Sequence, residues 1–87
     1  MNSVKVPLSF IGDPNKHIGF IVYNHLFSRS IFNTDFTIPE LIEELHTNYG
    51  IEITEDNKQE IINTVDEYIE TGSISIRVGF YRFNMPA

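Results

Sequence analysis

The chain has 87 residues and a mass of 10.1 kDa, 41% of it apolar, with no cysteine and twelve acids against six bases for a net charge of −6. That length supplies one core and leaves little room for a large catalytic cleft, and the lack of cysteine removes disulfides, thiol catalysis and thiolate metal sites. No apolar run approaches the roughly 18 residues that span a bilayer, and Met1-Asn2-Ser3-Val4-Lys5 lacks the apolar stretch of a signal peptide, so a single cytoplasmic domain over 1–87 with no membrane association is expected.

Along the chain, Val4, Val6, Leu8 and Phe10 alternate with polar neighbours and predict an N-terminal strand within 1–12, which Pro7 confines to a sheet edge. Gly12-Asp13-Pro14-Asn15 is either a turn or a helix start with Asp13 as the cap and Pro14 in the first turn. From His17 to Phe27 the residues are compatible with strand, but Ile18, Ile21, Val22, His25 and Leu26 also draw one helical face. The length of the run and the Asp-Pro start favour a helix over 14–29.

An extended link over Ile31 to Phe36 leads into the clearest signal. Thr37-Ile38-Pro39-Glu40 reads as a capping box, with Phe36 and Leu41 as its hydrophobic staple. Ile38, Leu41, Ile42 and Leu45 then follow at i, i+3, i+4 and i+7, and Gly50 supplies a left-handed stop, which predicts a helix over 37–48. Thr54 caps a second such helix over 55–71, with Glu55 and Asp56 in the first turn, Ile61, Ile62, Val65, Tyr68 and Ile69 on the apolar face and Gly72 at the end. Beyond Gly72 the period shortens to two. Ile74, Ile76, Val78 and Phe80 alternate with Ser75, Arg77, Gly79 and Tyr81, so Gly79 is either a bulge in one strand or the turn of a hairpin over 73–77 and 80–84.

Taken in order, these elements resemble a winged-helix domain over about 14–84. The resemblance is carried by Phe36 to Leu45, by Tyr68 to Ile74, and by the strands Ser75-Ile76-Arg77 and Tyr81-Arg82-Phe83. It implies an α+β fold in which three helices precede a β-hairpin wing and a short extended segment before the middle helix joins the sheet. In DNA-binding members of such folds the last helix enters the major groove. Here the N-terminal half of that helix is Thr54-Glu55-Asp56-Asn57-Lys58-Gln59-Glu60, with three acids and one base, and acids repel the phosphates that supply most of the affinity for duplex DNA.

The charge is strongly segregated: residues 1–34 carry +2, residues 35–70 carry −10 and residues 71–87 carry +2. The acidic block is the best candidate surface for a protein partner, with nucleic-acid mimicry as one form of it, and a solvated helical face as the plain alternative. The candidate partner-binding residues are Glu43, Glu44, Glu55, Asp56, Glu60, Asp66 and Glu67, with Arg77, Tyr81 and Arg82 on the wing as a second surface. The expected function is a non-enzymatic protein-binding module or small inhibitor. The other reading is a winged-helix transcriptional regulator that touches DNA through the basic wing. Thirteen Ile and eight Asn against the single Ala87 are the usage of an AT-rich coding sequence, as in many phages.

Nothing in the chain points to catalysis, and neither a metal nor a cofactor is expected. His17, His25 and His46 fall at no metal-ligand spacing and read as ordinary surface or boundary histidines. Paired carboxylates would need a cleft, and the five glycines are single, with no phosphate-cradling loop. The aromatics are more numerous than so small a core readily hides. Some of them are therefore candidates for an exposed patch serving a partner or a homodimer, with Tyr81 and Phe83 expected on the open side of the wing.

Overall fold

The computed structural model describes residues 12–86. After a single 3-10 turn at Pro14–Lys16 come α1 (Ile18–Arg29), β1 (Asp35–Phe36), α2 (Ile38–Tyr49), α3 (Glu55–Thr71), β2 (Ile74–Arg77) and β3 (Phe80–Phe83). The strands form one antiparallel sheet in the order β1-β3-β2. This is an α+β, winged-helix-like arrangement in which the segment before the middle helix joins the wing. The expected strand at 1–12 lies outside the described residues apart from Gly12.

The capping chemistry sets the two later helices. Thr37 Oγ1 accepts from the Glu40 amide while Glu40 Oε1 accepts from the Thr37 amide, closing the capping box. Thr54 Oγ1 accepts from the Asn57 amide at the start of α3. Both helices stop at a left-handed glycine, Gly50 at φ 77° and Gly72 at φ 88°, which a Cβ would strain.

The core is formed by Ile18, Ile21, Val22 and Leu26 of α1, Phe36, Leu41 and Leu45, Ile51 in the α2–α3 link, Ile61 and Val65 of α3, and Ile74 and Phe83 of the wing. Each of the three α-helices thus buries one face in a core shared with the wing. Among the described residues no helix is long and apolar enough to cross a membrane.

Three expectations need correction. The helix over 14–29 is broken at His17, whose φ of −133° and ψ of 34° interrupt it. Asp13 therefore caps the 3-10 turn, accepting from the Asn15 amide, and leaves α1 without a side-chain cap. Beside the break, the Asn15 side chain reaches the α2–α3 link and the first turn of α3. There its Oδ1 accepts from the Glu52 amide and from Asn57 Nδ2, both at 2.9 Å. The expected extended link over 31–36 shrinks to Asp35 and Phe36. Residues 30–33 instead turn back on α1 through bonds from the amides of Ser30, Ile31, Phe32 and Asn33 to carbonyls between Leu26 and Arg29.

The third correction concerns the wing. Phe83, expected on the open side, is 1% exposed, and Ile76, expected inside, is 65% exposed. The hairpin turns on Val78 and Gly79 alone, with Gly79 at φ 84°, so Arg77 pairs with Phe80, Ile76 with Tyr81 and Ile74 with Phe83. A two-residue loop sets odd-numbered residues opposite even-numbered ones, and directly opposed residues share a face. Ile74, Phe83, Ile76 and Tyr81 therefore line one face. The core reaches only its near end, which buries the first pair and leaves Ile76 out at the tip.

Candidate functional site

The acidic residues of α3 sort cleanly around the helix. At 3.6 residues per turn, Glu55, Asp56, Glu60, Asp66, Glu67 and Glu70, together with Gln59 and Asn63, fall within an arc of about 140°. All eight are exposed, whereas Ile61, Thr64 and Val65 are buried on the opposite side of the helix. Lys58, the one base of α3, lies off the arc and reaches back to Glu55 Oε2 at 2.9 Å. From Glu55 to Glu70 the helix rises about 22 Å, so the stripe carries one carboxylate per about 4 Å. Glu70 belongs to it as fully as the five residues identified from the sequence. The 100° spacing of the helix was the signal that could have found it.

The two candidate acids of α2 behave differently from each other. Glu43 is exposed, with Thr47 Oγ1 donating to its Oε2 at 3.1 Å. Glu44 is half-buried and taken up inside the domain: His25 Nε2 lies 2.7 Å and Arg29 Nε 2.9 Å from its Oε1. A carboxylate only accepts, so His25 carries its proton on Nε2 towards Glu44. In the neutral ring that leaves Nδ1 to accept from the Tyr49 hydroxyl at 3.3 Å. His25, read as a surface or boundary residue, is 7% exposed and packs its ring edge-on to Tyr49. Burial, with the nearby Glu44 charge adding to it, pushes the Tyr49 hydroxyl above its ordinary pKa. The whole cluster joins α1 to α2 and is structural.

The wing residues are also partly committed. Arg82 Nε donates to Asp35 Oδ1 at 2.9 Å across the β1–β3 pair, and this bond holds the Asp35 carboxyl below its usual pKa. The Tyr81 ring stacks on Phe36 at 5.6 Å and packs against the core. Arg77 is exposed near the tip beside Ile76 and Val78. The structure thus gathers Glu55, Asp56, Glu60, Asp66 and Glu67 into one surface. It keeps Glu43 on a separate helix, draws Glu44 inward, and splits the wing set between Arg77 at the tip and Tyr81 and Arg82 at the sheet.

A second surface carries apolar rather than charged groups. A groove of about 570 Å³ runs along α1, lined by Phe20, Tyr23, Asn24, Phe27 and Ile31 and closed on one side by Tyr68 of α3. Tyr23 forms its floor, wedged between Tyr68 at 5.4 Å and Phe83 at 5.5 Å. Among the described residues no group of three or more His, Asp or Glu side chains is placed to hold a metal ion. Comparison of the chain with protein-family models, with curated proteins and with solved structures finds no match.

Proposed function

We propose that this domain is a non-enzymatic binding module or small inhibitor, in keeping with its phage-like residue usage, and that it docks on a partner protein through the outer arc of α3. The observation that carries the reading is the uninterrupted stripe of six exposed carboxylates, with neither a base nor an apolar side chain in it. One strand of B-form DNA carries a phosphate per about 3.4 Å of axis, close to the density of the stripe. The complementary partner is therefore a basic protein surface of the kind that otherwise holds nucleic acid, and long-range attraction would speed their encounter. An acid also persists in the last turn of α3, at Glu70, where the negative end of the helix dipole disfavours it. A regulator that binds DNA through the wing has less support, because Arg82 is already bonded to Asp35.

The test is affinity capture from a host lysate with the intact chain and with the variant Glu55→Lys/Asp56→Lys/Glu60→Lys, each eluted with duplex DNA. Partners held by the natural chain, absent with the variant and released by DNA are the expected result. Partners retained by the variant would reduce the arc to a solvated face. Salt-sensitive binding of random duplex DNA by the domain itself would overturn the reading.

A further inference from the structure

We propose that Asn15 is the catch of a two-state joint at His17. While its side chain is bonded to the start of α3 the chain is bent there, and when those bonds open, residues 14–17 join α1 as its first turn. The catch consists of amide groups and does not depend on how the acidic arc is used.

What the straight form needs is already in place. Asp13 Oδ1 accepts from the Asn15 amide at 3.0 Å, the bond that the cap of an α-helix makes to the second residue after it. Pro14 follows the cap, where it has no amide proton to leave unpaired. The bent form instead leaves α1 without a side-chain cap. Among the described residues no acceptor reaches the amides of Ile18, Gly19 and Phe20, and Ile18 is fully buried. A buried amide without a partner is costly. In a helix begun at Pro14 these three amides meet the carbonyls of Pro14, Asn15 and Lys16.

Against that gain stand the bonds of Asn15. Its Oδ1 accepts from the Glu52 amide and from Asn57 Nδ2, and its Nδ2 donates to Asp13 Oδ1, all at 2.9 Å. Asn57 Nδ2 also donates to the Glu52 carbonyl at 2.9 Å, which braces the seat. Bonds from the Lys16 amide to the Asp13 carbonyl and from the His17 amide to the Pro14 carbonyl, both 3.1 Å, complete the bend. Bending and straightening thus exchange one small set of hydrogen bonds for another of similar number, which places the two forms close in free energy. Closed, Asn15 occupies the donors that stand beside Glu55 and Asp56. Open, it frees them and brings the chain into α1 along the helix axis.

NMR of the isotope-labelled full chain, with no partner added, tests the joint separately from docking. Asn15→Ala is expected to carry helical carbon shifts through residues 14–17 and to bring the Pro14 Hα against the Ile18 amide, a pair that an α-turn closes. It should also slow exchange of the Ile18, Gly19 and Phe20 amides about tenfold. Alanine favours helix by itself, so Asn57→Ala, which leaves residues 13–20 untouched, is the deciding variant and should move the same signals in the same direction. The wing resonances serve as the check that both variants are folded. A bend that persists in both variants, a change confined to Asn15→Ala, fraying of 14–17 without protection of Ile18, or a Pro14–Ile18 contact already present in the natural chain would each overturn the proposal.

Discussion

Arg29 Nε donates to Glu44 Oε1 at 2.9 Å, and the same guanidinium donates through Nη1 to the carbonyls of Asn33 and Asp35. One side chain thereby ties the end of α1 to α2, to the intervening turn and to the first strand. Removing it leaves several acceptors short of a donor, which costs more than the bonds themselves contribute.

Arg29→Gln is accordingly expected to lower the unfolding free energy by about 1–3 kcal/mol. The change is read as a fall in the urea midpoint at constant slope. A double-mutant cycle with Glu44→Gln should return a coupling of about 0.5–3 kcal/mol. Additive losses would mean that the two side chains act separately.

The Arg82–Asp35 bond makes a pH prediction. Its folded-state pKa is depressed, so Asp35 contributes stability that is present above the ordinary carboxylate value of about 3.9 and is lost as pH falls through the folded value. Arg82→Gln should raise the Asp35 pKa towards that ordinary value in an NMR titration of the carboxyl. The stability difference between the variant and the natural chain should narrow in acid.

The last turn of α3 holds an acid, Glu70, where a base would suit the helix dipole. Glu70→Lys should therefore stabilise the fold by about 0.3–1 kcal/mol, seen as a higher melting temperature at low salt. The same change should weaken whatever the acidic arc binds. A variant more stable and equally good at binding would detach Glu70 from the docking surface.

Asn15 joins the 3-10 turn to the start of α3, with its Oδ1 accepting from the Glu52 amide and from Asn57 Nδ2. Asn15→Ala should cost about 1–2 kcal/mol and increase hydrogen exchange at the Glu52 amide, while amides in the middle of α1 stay protected.

Where the structure depends on neighbours in sequence, it was legible there. The capping box at Thr37, the Thr54 cap, the glycine stops and the inward faces of all three helices rest on spacing within a few residues. The acidic arc was legible in kind, and the helical period added Glu70 to it. What escaped depends on distant partners. The break at His17 accompanies bonds from Asn15 to residues 37 and 42 positions away. The fate of Glu44 is set by His25 and Arg29 on another helix, and a count of charges gives the same weight to an acid held inside the domain as to one in solvent.

The turn at Val78 and Gly79 acts as a counting device. Val78 is 99% exposed, and exposed loops ordinarily tolerate extra residues. Here, adding one residue while the turn keeps its two-residue length would slip the pairing by one and exchange the inward and outward sets of β3, bringing Phe80 and Arg82 to the core face and turning Phe83 to water. Adding two would keep the sets as they are. Variants with residues added to β3 behind an unchanged two-residue turn should therefore alternate between poorly and well folded, so that the parity of the added count, more than the identity of either exposed residue, governs whether the sheet can close over the helices.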